Sequence, residues 1–393
     1  MPFLLTMLRA YQVKLYPNQQ QIELLDKHFG CCRWVYNEMI RINQKAYHRR
    51  GKSLSGYDMQ SYLPNLKKQY PWLTEVNSHS LQIVCHNLAE AYGRFFRKQG
   101  GYPQFKRKGD SESFTSMKHS RIEGNKIRLP KLGMIRFRGG DRPEGKIKRF
   151  TVKKSVSGYY VSVMIDTPDA LPESLQLQSI LGIDLGITEI IVTSQDEKVK
   201  APKYFKTAQG KLRQRQQTFS RRQKSSNRRR KARCSVALLH EKVRNQRKDF
   251  NHKLTRKLVD GESQAFAVES LNVKGMMQNH SLAKHIADCG WSQFLTYLKY
   301  KSEAVGKQVV EVDRWFPSSK TCSACGIVRQ SLPLKIREWQ CSDCGSVHHR
   351  DVNAAINIAL EAARNSAFDR GDCGRPTVLR KAAVSEASTY AAA

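Results

Sequence analysis

The stretch CSDCGSVHHRDVNAAINIAL, Cys341 to Leu360, joins half of a metal knuckle to an acid at the head of a good helix former. Its first residues, Cys341-Ser-Asp-Cys344, answer an upstream pair, Cys322-Ser-Ala-Cys325, with 15 residues between the pairs. That spacing predicts a four-cysteine zinc ribbon, two tight turns that each aim two thiolates at one tetrahedral ion. Gly326 and Gly345 follow the pairs and permit the turns. Four thiolates close the coordination sphere, so one structural Zn²⁺ is expected, with no open position for a reactive water. The ion staples a loop too small to hold a core of its own, and His348 and His349 are not needed as ligands. The acid that follows, Asp351, needs a separate explanation.

The chain has 393 residues and carries 68 Lys+Arg against 34 Asp+Glu, a formal net charge of +34. Solubility needs far less. An excess of this size predicts a polyanion partner, because each phosphate neutralised by Lys or Arg releases a condensed counterion. No run of about 18 apolar residues occurs, so no membrane span is expected. The opening MPFLLTMLRAYQVKLYP has too short an apolar stretch to be a secretory signal. Cys31, Cys32, Cys85, Cys234, Cys289 and Cys373 are scattered through helix-like or tail sequence. That usage fits a reducing cytoplasm and a single metal site.

Along the chain, residues 9–16 (RAYQVKLY) read as a strand, and Pro17-Asn18 opens a helix with Ile22, Leu25, Phe29 and Cys32 at helical spacing. Further helices are expected over CRWVYNEMIRINQKAY, around 56–68, and over SLQIVCHNLAEAYGRFF, making 17–105 a helical domain. From about 111 to 170 basic and apolar residues alternate with period two, and Ser157-Gly158 predicts a hairpin turn. Residues 1–16 and 106–175 together predict an antiparallel sheet or small β-barrel with one basic face, into which the helical domain is inserted.

SILGIDLGITEIIVTSQDEKV then reads as a buried strand, a turn at Gly186 and a second strand. A helical region follows at about 206–260, with 19 Lys/Arg and two acids between Lys206 and Lys257. Val236, Leu239, Val243, Phe250, Leu254 and Leu258 keep an apolar stripe along it. Surface helices usually interleave charges, so the single sign predicts a nucleic-acid face that includes Arg221, Arg222, Arg228, Arg229 and Arg230. SQAFAVES and QVVEVDRWF read as strands. Residues 363–393 are poor in large apolar groups and are expected to be disordered.

Three acids stand out by position. Asp184 lies inside the apolar strand ILGIDLGI, Glu269 closes AFAVE, and Asp351 heads DVNAAINIALEAA. A charge on a buried strand costs several kcal/mol unless paired or bound to metal. Singly, each has a plain account: half of an ion pair for Asp184, a solvated strand end for Glu269, a helix cap for Asp351. Together, the order strand-acid, strand-acid, helix-acid is what a ribonuclease-H-like nuclease needs. Carboxylate oxygens suit Mg²⁺, and two such ions about 4 Å apart activate a water and stabilise the leaving oxygen.

The order GIDLGI, AVESL, RWFPSSKTCSACG, CSDCG and HRDVNAAINI resembles the TnpB (OrfB) family of transposon-encoded proteins. RAYQVKLYPNQQQIELL and GYPQFKRKGDSESF resemble it too, so the similarity spans about residues 8–362. The resemblance implies a multidomain α/β fold: a RuvC-like nuclease domain (176–317 and 348–362), similar to that of type V CRISPR effectors, with an inserted zinc ribbon (318–347). The N-terminal β-barrel would be wedge-like and the helical insertion a recognition domain. It implies an RNA-guided DNA endonuclease that binds a guide RNA and cuts target double-stranded DNA beside a short flanking motif, holding the displaced single strand. Asp184, Glu269 and Asp351 match the family's catalytic acids and Mg²⁺ ligands, and Cys322, Cys325, Cys341 and Cys344 its zinc ligands. The family's His-Asp-Arg-Asp run reads His348-His349-Arg350-Asp351 here, one acid fewer, and activity is expected to survive.

Further nucleic-acid contacts are expected from Tyr102, Phe105, Lys106, Arg107 and Lys108, which mix rings and cations, although a plain surface loop has the same look. Ser318, Ser319, Lys320 and Arg350 suit phosphate, or equally a turn and an ion pair. Two other functions fit the same residues: a nuclease-inactive RNA-guided regulator, free to lose acids that are all present here, and an RNA-independent transposase, which the fold alone does not exclude.

Overall fold

The computed structural model describes residues 6–117, 120–139, 145–170, 179–368 and 377–378. They form two compact units, Met1–Ala170 and Leu171–Ala393. Among the described residues no helix is long and apolar enough to cross a membrane.

The first unit begins with β1 (Thr6–Tyr16) and α1 (Gln19–Arg50). Asn18 starts the helix with a capping box: its Oδ1 accepts from the Gln21 N–H at 2.8 Å, and Gln21 Oε1 accepts from the Asn18 N–H at 3.1 Å. The two helical stretches expected here are one continuous helix of 32 residues. Next come α2 (Gly56–Ser61), α3 (Leu63–Gln69) and α4 (Ser78–Phe96). The sheet follows, with β2 (Ser113–Met117), β3 (Arg121–Glu123), β4 (Lys126–Leu129), β5 (Gly133–Arg138), β6 (Lys146–Ser155) and β7 (Gly158–Ala170).

All seven strands are antiparallel in the order β2-β6-β7-β1-β5-β4-β3, so β1 does join the sheet from across the helical insertion. Among the described residues β2 and β3 are free edges, and the expected barrel is an open sheet. Ser155 pairs with Gly158, which places the β6–β7 turn on Val156-Ser157, one residue before its expected position. Phe150, Val152, Val161, Val163 and Ile165 point inward, while Lys146, Lys148, Arg149 and Lys153 are exposed. These inner residues share one continuous core with Leu25, Val35, Leu81 and Leu88 of the helices, so the helical and sheet portions have no separate cores.

The second unit opens with β8 (Ser179–Asp184), β9 (Glu189–Thr193) and β10 (Lys198–Lys200), then α5 (Tyr204–Arg221) and α6 (Asn227–Asp260). The single helical region expected at 206–260 is thus two helices. Ser226 breaks it, capping α6 by accepting from the Arg229 N–H at 3.1 Å. Leu239, Val243, Leu254 and Leu258 of the apolar stripe are buried as expected. The chain continues through β11 (Ala265–Glu269), α7 (Val273–Met276), α8 (Ala283–Cys289), α9 (Trp291–Glu303) and β12 (Gln308–Val312). A ribbon hairpin, β13 (Glu338–Gln340) and β14 (Val347–His349), leads directly into α10 (Arg350–Phe368).

The sheet order is β10-β9-β8-β11-β12, with β8, β11 and β12 parallel and β9 and β10 antiparallel. Leu181, Ile183, Phe266 and Val268 pack on one face against α6, α8 and α9. Ile180, Ala265 and Ala267 pack on the other against Ile358, Ala359, Ala362 and Ala363 of α10. The tail expected to be disordered from 363 is helical through Phe368, and β15 (Thr377–Val378) pairs with Ser179 and Ile180. The rest of that expectation, 369–376 and 379–393, lies outside the described residues.

Candidate active site and metal centre

Parallel register brings two of the acids together. Ala265, Phe266, Ala267 and Val268 pair with Ile180, Leu181, Gly182 and Ile183, and the next step in that register sets Glu269 beside Asp184 at the carboxyl ends of neighbouring strands. Ligands of open α/β sheets bind outside these ends. Side chains alternate across a sheet, so Asp184 and Glu269 share the face of Gly182 and Ala267, on which α10 lies. A Cβ on Gly182 would meet the Ala355 carbonyl oxygen at 1.8 Å and the Ala359 Cβ at 3.0 Å. Only glycine lets the helix rest so close. Asp351, one turn before Ala355 and in the first helical turn, is thereby carried to the strand ends, where the helix dipole also favours an acid.

The electrostatics follow from this convergence. Burial, then the neighbouring charges of Glu269 and Asp351, push the Asp184 carboxyl up to about 7, against the opposing Leu185 N–H and the Arg350 cation. Ser318 Oγ donates to Glu269 Oε1 at 2.6 Å. Arg337 Nη1 donates to both Asp351 oxygens at 2.9 Å. Asp184, Thr188, Arg337, His349 and Asp351 line one cleft of about 350 Å³. His349 brings to it a buried Nδ1 with no hydrogen bond. A buried carboxylate raised by two neighbouring acids suits a divalent cation with oxygen ligands.

The four cysteines meet as their spacing demands, with all Sγ atoms within 4.8 Å of one another. Cys322 to Cys344 is 3.6 Å and Cys325 to Cys341 is 3.7 Å. A tetrahedral zinc with bonds of about 2.3 Å sets its sulfurs about 3.8 Å apart, so the donor set fits that ion. Each knuckle closes alike: the Gly326 N–H donates to the Cys322 carbonyl at 2.8 Å and the Gly345 N–H to that of Cys341 at 3.1 Å, both glycines in the left-handed region. His348 is no fifth ligand in this set, but its Nε2 lies 3.0 Å from Cys322 Sγ, as an outer-shell partner would.

The ribbon is also a lever on the acids. In the β13–β14 ladder Glu338 faces His349, and the Arg350 N–H donates to the Arg337 carbonyl at 2.7 Å, which sets Arg337 next to Asp351. Asn353 and Asn357, one turn apart on α10 and buried, grip the incoming loop. Their Nδ2 atoms donate to the Thr321 carbonyl at 2.7 and 2.6 Å, and Asn357 also to that of Ser318 at 2.8 Å. Arg337, Asn353 and Asn357 were not singled out in the sequence. Two asparagines four apart on an otherwise apolar helix face were the available signal for the last two; Arg337 had none.

Several expected contacts take other roles. Arg350 is buried, its guanidinium donating to the Leu332 and Pro333 carbonyls at 3.4 and 2.8 Å, so it ties down the ribbon rather than meeting phosphate. Ser318 is buried on Glu269, and Lys320 Nζ donates to the Gln330 carbonyl at 3.3 Å, while Ser319 is part-exposed. Arg229 clamps the α5–α6 turn, donating to the Arg222 carbonyl at 2.7 Å and lying over the Phe219 ring. Arg221, Arg222, Arg228 and Arg230 are exposed there. In the first unit Tyr102, Phe105, Lys106, Arg107 and Lys108 lie exposed on the loop after α4.

Three family models match the chain: "Helix-turn-helix domain" over residues 7–52, "Probable transposase" over 160–280, and "Cas12f1-like, TNB domain" over 291–358. The first name does not describe its segment, which is a strand and one unbroken helix. A Streptomyces pristinaespiralis protein named "Putative RNA-guided DNA endonuclease" is 36% identical over 377 residues, covering 94% of this chain and 92% of its own. The Escherichia coli K12 "Putative RNA-guided DNA endonuclease InsQ" is 29% identical over 371 residues, covering 89% and 91%. A solved "mini-RNA-guided endonuclease" structure aligns over 91% of this chain and 92% of its own, at 10% identity and a TM-score of 0.45. The chain belongs to the TnpB family.

Proposed function

We propose that this chain is a cytoplasmic RNA-guided DNA endonuclease that hydrolyses phosphodiester bonds at Asp184, Glu269 and Asp351. The observation that carries this reading is the convergence of carboxylates from β8, β11 and α10: burial, then the charges of Glu269 and Asp351, raise Asp184 to about 7, and Asp184 and Asp351 line one cleft. The names of the relatives support guidance by RNA and DNA as target, and the charge of +34 supports a large nucleic-acid partner. Guide RNA, target duplex and displaced strand are the proposed partners.

Asp184, Glu269 and Asp351 would hold two Mg²⁺ ions, and the cysteine set one structural Zn²⁺. When bound, Mg²⁺ supplies an activated water and neutralises charge on the phosphate. The chain's own residues do the positioning. Ser318 orients Glu269 by donating to its Oε1. Arg337, half exposed at the cleft, holds Asp351 and offers a cation to an incoming phosphate. β8–β10, α5–α6, β11–β12 and α10 act as the nuclease domain, and the hairpin between β12 and α10 as its ribbon. The helical and sheet portions of the first unit act as recognition and wedge-like domains.

The test expresses the protein with its native downstream locus, sequences the RNA that copurifies, and challenges the complex with Mg²⁺ on plasmids carrying the guide's target beside random flanks. Selective loss of plasmids with one flank, absent for Glu269→Ala, is the expected result. Bound RNA and target binding without any cleavage would establish a regulator instead, and no bound RNA an unguided enzyme.

A further inference from the structure

Where α1 meets α4, the first unit holds a cleft of about 600 Å³, inside the range of about 300–1,000 Å³ seen for small-ligand pockets. Its walls are aromatic. Tyr102 stands edge-on to Tyr92 and Phe95, with centroids 5.6 and 5.3 Å away, and Phe96 and Tyr47 are 54% and 47% exposed beside them. The loop that carries Tyr102 is pinned: the Lys106 N–H donates to Asn37 Oδ1 at 2.8 Å, and Asn37 Nδ2 donates to the Lys106 carbonyl at 3.0 Å. Such rings are held ready rather than gathered on binding.

Polar groups inside the cleft ask for a partner. The Tyr92 hydroxyl is buried, on a residue only 3% exposed, and makes no hydrogen bond of acceptable geometry, with Asn43 and Tyr102 as its polar neighbours. Buried polar groups are nearly always satisfied, so an open one deserves an explanation. Gln44 Nε2 sits 3.5 Å from the Tyr102 hydroxyl, and Lys45 and His48 are exposed at the rim. Rings, inward hydrogen-bonding groups and a cationic mouth together match a flat heterocycle attached to a phosphate.

We propose that this cleft receives one unpaired nucleobase of the bound RNA, stacked against Tyr102 and hydrogen-bonded by the Tyr92 hydroxyl. The inference rests on the RNA-guided reading above. RNA is favoured over the target duplex because its loops and bulges already present unpaired bases, whereas a base in a duplex must first be unpaired, and over the displaced strand because the RNA is bound before any strand is displaced.

The test uses the full chain purified with its own RNA. Ultraviolet cross-linking and mass spectrometry read which nucleotide touches the cleft, and filter binding of the stripped protein reads affinity for that RNA. One unpaired RNA nucleotide is expected to cross-link to the cleft. Tyr102→Ala is expected to weaken RNA binding about tenfold, with Tyr102→Phe within about twofold of the parent. Gln44→Trp, which fills the cleft from an outer position, is expected to weaken it similarly and guards against misfolding of the first variant. Parental affinity in both variants without a cross-link overturns the proposal, and a cross-link to target DNA alone overturns its assignment to RNA. RNA that copurifies while the cleft variants behave as the parent sinks this inference only; no RNA on the parent protein sinks it together with the guided reading.

Discussion

Gly182 and Ala355 touch through their backbones: the Ala355 carbonyl oxygen occupies the space a Cβ on residue 182 would need, 1.8 Å from its position. Two residues beyond Gly182 lies Asp184, and one turn before Ala355 lies Asp351, so this crossing sets the distance between two of the acids.

Gly182→Ala should therefore push α10 off the sheet. Overpacking of this kind costs about 1–3 kcal/mol, visible as a lowered urea midpoint. Displacing Asp351 by about 1 Å should cut the cleavage rate on the order of a hundredfold, while RNA binding persists. Parental stability and rate would mean that the helix does not need this contact.

Arg337 holds Asp351, so on the proposed function a metal ion would have to compete with it for that carboxylate. The ion pair is half exposed, so its worth is small, and Arg337→Gln should lower the Mg²⁺ concentration for half-maximal cleavage by about two- to fivefold. The maximal rate should fall if the guanidinium also meets phosphate. Cleavage titrated against Mg²⁺ separates the two effects, and an unchanged or raised midpoint contradicts the competition.

Asp184 predicts a pH dependence with a definite sign. Its folded-state carboxyl, near 7, lies far above the unfolded value, so the native state holds a proton that the unfolded chain has lost. Between about pH 4 and 7 the metal-free protein should lose stability from this group as pH rises. Mg²⁺ needs the ionised form, so its apparent affinity should weaken by about tenfold per unit below pH 7 and level off above it. Calorimetric titration at several pH values reads this directly; a flat profile from pH 5.5 to 7.5 removes Asp184 from the metal site.

Zinc should bind at one ion per chain and hold the hairpin that aims Arg337. Cys341→Ala or a strong chelator should abolish ribbon order, since structural zinc in isolated fingers contributes about 10–16 kcal/mol of apparent binding. Elemental analysis, a thermal melt and proteolysis between residues 318 and 347 would report it. An intact melt and an uncut ribbon without zinc would leave the cysteines structurally idle.

Local chemistry was readable without coordinates where spacing along the chain is itself the geometry. The Cys-x-x-Cys-Gly knuckles, the Asn18 cap, the alternating strands of the first sheet and the apolar stripe of α6 depend on residues within a few positions of one another. The strand-acid, strand-acid, helix-acid order also stood in the sequence as a pattern. Tertiary context decided what local signals left open. The helical and sheet portions of the first unit share one core, a Ser226 cap splits the basic helical region, and Arg350, equally suited to phosphate or an ion pair by sequence, is buried with its guanidinium on the Leu332 and Pro333 carbonyls.

The chain by itself determined the two cysteine knuckles, the acids and their order, the basic character and the main strands and helices, because each follows from residue chemistry at short range. Only the tertiary structure decided that β8 and β11 run parallel in a register whose next step sets Glu269 beside Asp184, that Gly182 admits α10, and that Arg337 reaches Asp351 across the ribbon. These contacts join residues separated by long stretches of chain, where register and close packing, rather than any local propensity, set which side chains meet.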